Sequence, residues 1–243
     1  NKEFLSSIKD LLSIDIGPSP QPENILSIME IEQDDFAGLF KRHQNLLFIS
    51  KTDSFSIQWA EDLFARNQKV VFLNCPSYKE LQKHKKQIKK IVNKIRQVEI
   101  NRQILKYKNK IHKGLQNMVK ENHGISMLLP NGFFIAYSDS TTTWLRHETS
   151  KVGQGIFITN TDLNKTSLTP TQAWHVGDSV IKKYIFGPLE NSYMRLEKEA
   201  PILLDTIMLS NVTALKMQSL WHMENDFMGG IFNMYYFPFD KKS

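Results

Sequence analysis

A chain of 243 residues, 41% hydrophobic and 11% aromatic, is long enough for one large domain or two ordinary ones. Fifteen Phe, seven Tyr and four Trp exclude a disordered composition, and the single cysteine, Cys75, excludes an internal disulfide or a cysteine-based zinc site. No apolar run approaches the ~18 residues of a membrane-spanning helix.

The chain opens at Asn1 without a methionine and shows no signal peptide, which leaves a cytoplasmic location and a removed leader as competing expectations. Residues 3–13 place Phe4, Leu5, Ile8, Leu11 and Leu12 on one face of a short amphipathic helix. Pro18, Pro20 and Pro22 then force an extended path. A strand is predicted over Ile25–Ile31 and a short segment around Phe36, Leu39 and Phe40. Further strands are predicted over 45–50 and 69–74, and the type of Ser54–Arg66 stays open. Cys75 closely follows the apolar run Val70 to Leu73, so it reads as a small buried hydrophobe.

Charge is concentrated in one stretch. Residues 79–121 hold twelve Lys and two Arg against three Glu, a local +11 that leaves −5 on the rest of the +6 chain. Within it, Leu81, Ile88, Ile91, Val92, Ile95, Val98, Leu105, Ile111, Leu115 and Met118 recur at helical spacing, an apolar stripe with lysines opposite. One helix from Ser77 to Lys120 would run about 65 Å, whereas a compact chain of this size has a radius of gyration of about 18 Å. A break around Tyr107–Lys110 is therefore expected. A lysine-rich face could meet nucleic acid or an acidic membrane. Without interleaved aromatics and with little Arg, it reads first as a solvated helix face, and nucleic acid is not the expected partner.

After Gly124 the texture turns to β. Short strands are predicted over Ile125–Leu129, Phe133–Tyr137, Thr142–His147 and Gly155–Thr159. Thr169, Pro170 and Gln172 form a capping-box helix start, and the helix runs to the Lys182-Lys183 pair before Gly187-Pro188. Strands over 192–198, 202–209, 212–224 and 227–237 complete the chain. The fold class is α+β, with antiparallel sheets packed against helices. Two α/β-type halves are expected, residues 1–121 ending in the lysine-rich region and residues 122–243 holding one packed helix.

No glycine-rich phosphate loop, G-x-S-x-G elbow or H-E-x-x-H pattern occurs. The best cluster is His222, Glu224 and Asp226, which two-residue steps along a strand put on one face, with Trp221, Met223 and Phe227 on the other. Such a trio could ligate a metal or relay protons, while the plainer reading is the polar face of an amphipathic strand. Arg146, His147 and Glu148 alternate along a strand and cannot form one site unaided. His175, beside Trp174, reads as a half-buried structural histidine. The sequons at Asn164 and Asn211 would matter only in a eukaryotic secretory pathway.

Several stretches resemble a known family: Ile125 to Pro130 with Gly132-Phe133, Thr143 to Arg146, Lys182 to Ile185 with Gly187-Pro188, Ser192 to Met194, and Trp221 to Tyr235. Pro20 to Glu23 and Asn45 to Ile49 carry it more faintly. The family is that of lipoproteins of Bacteroidetes-type bacteria catalogued as domain-of-unknown-function family 4837. The resemblance implies a periplasmic-side envelope location and a lipid anchor on a cysteine of the precursor. It implies no activity, catalytic residue or cofactor.

The leading expectation is thus a non-enzymatic envelope module binding a protein partner, ligand or surface. The alternatives are a metal-dependent or hydrolytic enzyme using the His222, Glu224, Asp226 face, and nucleic-acid binding through the lysine-rich helix.

Overall fold

Helix α1, Lys2–Leu12, comes first. Two 3-10 turns, Gln33–Asp35 and Gly38–Arg42, lead into strands β1 (Asn45–Ser50), β2 (Ser56–Glu61) and β3 (Lys69–Asn74). The basic region gives α2 (Tyr78–Lys83), α3 (Lys85–Tyr107) and α4 (Lys113–His123). The remainder is β4 (Phe134–Ser138), β5 (Thr142–Glu148), β6 (Gly153–Thr159), α5 (Pro170–Tyr184), β7 (Tyr193–Leu196), β8 (Leu203–Leu209), β9 (Val212–Glu224) and β10 (Gly229–Tyr236). The structure is a computed structural model that describes residues 2–150, 152–160 and 168–238. The sequon at Asn164 lies outside these residues. The architecture is α+β.

The chain forms two units: Asn1–Ile16 with Glu23–Asn101, and Gly17–Pro22 with Arg102–Ser243. Cα packing divides them between Asn101 and Arg102, inside α3, whereas the sequence put the junction near residue 121.

In the first unit β3 is central, parallel to β1 and antiparallel to β2. Its inward residues Val71 and Leu73 meet Ile8 and Leu12 of α1, Leu81 of α2, and Ile88, Ile91, Val92 and Ile95 of α3. Cys75 is buried in this core, and burial pushes its thiol up. The expected break falls at Tyr107. A second break, absent from the sequence reading, sits at His84, whose ring stacks on Phe55 with centroids 3.8 Å apart. The apolar stripe of α3 does not stay covered, since Leu105 is exposed rather than facing a core.

The predicted strand Ile25–Ile31 does not form. After the bridge between Asp15 and Asn24 the segment runs without a partner strand, and Ile25, Leu26 and Ile28 lie against the first core as single anchors. A run of β-branched residues becomes a strand only where an edge is there to receive it.

Gln68 ties the loops of this unit together. It is 1% exposed, donates to the carbonyls of Lys41 (2.8 Å) and His43 (2.7 Å), and accepts the Phe64 N–H at 3.0 Å. Its own N–H is held by Asp62 Oδ1, at the left-handed turn of the β2–β3 hairpin.

The second unit contains two sheets. β4, β5 and β6 form an antiparallel sheet in that order, one face packed on α4 through Leu115, Val119, Leu129, Leu145 and Ile158. The predicted strand Ile125–Leu129 is instead irregular chain after the left-handed Gly124 that ends α4, with only Ile111 and Pro130 bridging. In the other sheet β9 pairs with β10 along one side, and with β8 and β7 along the other. Helix α5 starts at the expected capping box, Thr169 and Gln172 each holding the other's backbone N–H. It lays Ala173, Trp174, Gly177 and Ile181 against Met194, Leu196, Met217 and Met223. Gly177 lies against the end of the Met234 side chain, which occupies the space a Cβ would take.

Replacing Gln68 by alanine removes the side-chain partner of three backbone groups, at a cost of about 2 kcal/mol. Urea unfolding of the Gln68→Ala variant checks this; a midpoint equal to that of the parent chain would contradict it.

Candidate functional site

Two features of the second unit could carry function: a polar group on the outer face of the β9 sheet, and a large cleft on its inner side.

The polar group is built by strand pairing. Arg195 lies opposite His222, and Tyr193 opposite Glu224. His222 Nδ1 is 3.1 Å from a Glu197 carboxylate oxygen, and its Nε2 is 3.6 Å from Glu224. The imidazole therefore sits between two carboxylates, and all three side chains are partly exposed. Asp226 does not join them. β9 ends at Glu224, Asn225 turns left-handed at φ 59°, and Asp226 Oδ1 accepts the Phe227 N–H in that turn. The two-residue step holds only while the strand lasts, and Glu197 takes the place foreseen for Asp226. Among the described residues no group of three or more His, Cys, Asp and Glu is placed to hold a metal ion.

The other candidates separate as strand geometry requires. Arg146 pairs with Glu148 and lies over the Trp144 ring at 5.2 Å, while His147 turns to the ring of Phe133 at 5.3 Å. His175 is exposed on α5, edge-on to Trp174, rather than half-buried, because the buried stripe of the helix runs through Trp174, Asp178 and Ile181. Phe227, expected on the strand face shared by Trp221 and Met223, is 96% exposed, since its turn lies past the end of the ladder and no strand faces it. Trp221 does pack inward, its indole lying over Gly230, its partner on β10.

Asp178 was not foreseen as a special position. It is 7% exposed on the apolar stripe of α5 and takes a two-pronged bond from Arg195, 2.8 Å to Nη2 and 3.3 Å to Nε. Its Oδ1 also accepts the Leu196 N–H at 2.9 Å. β7 is short and flanks β9, and this carboxylate satisfies a main-chain donor that no strand reaches. Burial opposes ionisation of Asp178, but Arg195, the Leu196 N–H and Lys182 outweigh it, so the carboxyl titrates below its ordinary range. The sequence signal was a lone carboxylate four residues after Trp174 and three before Ile181, within an apolar stripe.

The cleft runs between the two sheets, over about 3420 Å³. Trp144 and Phe157 of the first sheet, which also pack on the core of the second, form one wall. Val176 and Val180 of α5, with Trp221, Met223 and Met234, form another. Five of the nine methionines line it: Met127, Met194, Met223, Met228 and Met234. Flexible thioethers suit a surface that adapts to what it binds. Sites for small metabolites enclose about 300–1,000 Å³, and this cleft is larger than that range. His222 and Glu224 face away from it, because Trp221 and Met223 take the inward positions on β9.

Asp178 supports folding only when ionised. With its folded-state pKa lowered, the contribution is complete above the unfolded value near ~4 and is lost as pH falls through the folded value. Asp178→Asn should cost about 2 kcal/mol at neutral pH and flatten the loss of stability on the acid side of about pH 4. Thermal unfolding of both proteins between neutral and acid pH measures this; parallel curves would contradict it.

A family model described as a domain of unknown function, DUF4837, matches residues 112–243, more than half of the chain. A second model with the same description, DUF8532, matches residues 6–108. No curated protein and no solved structure matches. With its two sheets, capped α5 and closing β9–β10 hairpin all inside the first of these matches, the chain belongs to the DUF4837 family.

Proposed function

We propose that this protein is a non-enzymatic module of the bacterial cell envelope whose C-terminal unit takes an apolar ligand into the cleft between its two sheets. The cleft carries the reading. It is large, its walls are mostly aromatic and aliphatic, and its methionines can repack around a guest. The envelope location rests on the resemblance of residues 124–237 to lipoproteins. Recovery of the full-length product in the membrane fraction of its host, released by detergent and not by salt, is the expected outcome; a freely soluble product would oppose it.

The enzymatic alternative has one observation in its favour, the imidazole of His222 held between Glu197 and Glu224. A histidine flanked by carboxylates can accept and pass on a proton. It stands on the face turned away from the cleft, however, so a ligand in the groove would not meet it. If this cluster is catalytic, His222→Ala abolishes whatever turnover a broad hydrolase substrate panel detects.

The cleft reading is tested with 8-anilinonaphthalene-1-sulfonate. The native chain should bind the dye saturably, with blue-shifted emission. Val180→Trp, which puts a large ring into the groove from α5, should weaken binding about tenfold while circular dichroism stays unchanged. Equal affinity in the variant, or no saturable binding by the native chain, would overturn the reading.

A further inference from the structure

The cleft has a property beyond its apolar walls: strand edges border it. Every residue of β6, Gly153–Thr159, and every residue of β10, Gly229–Tyr236, lines it. β6 ends the order β4–β5–β6, and β10 lies at the margin of the other sheet. Among the described residues, neither outer edge pairs with another strand.

Ladder alternation identifies the groups on offer. The Met223 N–H donates to the Met228 carbonyl at 2.7 Å, and bonded pairs in an antiparallel ladder recur every second residue. Gly230, Phe232, Met234 and Tyr236 therefore bond to β9, while the N–H and C=O groups of Gly229, Ile231, Asn233 and Tyr235 turn outward. On β6, the bond from the Asn160 N–H to the Thr141 carbonyl likewise turns Gly155, Phe157 and Thr159 outward.

Soluble proteins commonly guard such edges with a charged side chain, a proline or a bulge. β10 reads Gly-Gly-Ile-Phe-Asn-Met-Tyr-Tyr and β6 reads Gly-Gln-Gly-Ile-Phe-Ile-Thr, with no charge and no proline in either. The two faces of β10 are also both apolar at the edge. Phe232 and Met234 face the core side, while Ile231 and Tyr235 are 43% and 44% exposed on the outer face.

We propose that the occupant of the cleft is an extended, uncharged polypeptide segment of a partner protein, added as a strand along β10. This rests on the cleft reading above and names its ligand class. An acyl chain would satisfy the apolar walls but leave the row of donors and acceptors unpaired. A polypeptide presents complementary groups at the same two-residue repeat. Its alternate side chains fall beside Phe232 and Met234 on one face and cover Ile231 and Tyr235 on the other. The absence of charge on either bordering edge selects a segment without charge in its central residues.

The probe is a synthetic peptide with eight alternating valines and threonines, the length of β10, and a lysine pair at each end for solubility. Calorimetric titration into the full chain should show saturable binding. Asn233→Pro removes an outward N–H and no ladder bond, and should weaken binding at least about tenfold. Asn233→Ala keeps that N–H, loses only the side-chain bond to Gln218, and should bind as the parent does. Should the proline variant not fold, amide exchange of the native chain decides: peptide must slow Ile231, Asn233 and Tyr235. Undiminished binding by Asn233→Pro, or no slowing, overturns the proposal. Absence of peptide binding while the naphthalene dye still binds overturns this inference alone; loss of both removes the cleft reading with it.

Discussion

Strand β9 is the constraint on which the second unit depends. Its thirteen residues pair with β10 on one side and with β8 and β7 in succession on the other, so three strands take their register from one. Side-chain period then settles which residues meet α5 and which face outward. Leu215, Met217, Ser219, Trp221 and Met223 fall inward, and Lys216, Gln218, Leu220, His222 and Glu224 fall outward. A slip of one residue would bury His222 and Glu224 under α5 and expel Trp221 and Met223. The Asp178 carboxylate helps prevent this by holding both Arg195 and the Leu196 N–H of β7.

Much of this was legible in the sequence for local reasons. The α5 capping box is a short-range signal, complete within Thr169 to Gln172, and it formed as read. β1 and β3 were legible because both are apolar runs with sharp polar ends. The failures share a physical origin. Ile25–Ile31 and Ile125–Leu129 have strand composition but no edge to pair with, and no local pattern reveals whether an edge exists. The break at His84 was invisible because no glycine or proline marks it; its ring instead finds Phe55, far away in sequence.

The candidate site was legible only in part, for the same reason. Alternation put His222 and Glu224 on one face, and the structure does so too. Asp226 left that face because the turn begins at Asn225, and Glu197 entered it through cross-strand pairing that no reading of 222–226 alone can supply. The cleft was hidden more deeply. Its walls come from stretches far apart in the chain, and its borders are backbone edges, which leave no mark on side-chain pattern beyond the missing charges of β6 and β10.

The central claim is that β10 is bound to β9 along one side and open along the other. Amide hydrogen exchange of the free chain, resolved residue by residue, tests it most directly. The account predicts slow exchange at Gly230, Phe232, Met234 and Tyr236, alternating with fast exchange at Gly229, Ile231, Asn233 and Tyr235. Uniform protection through Gly229–Tyr236 would mean that a further strand already covers this edge, and would contradict it.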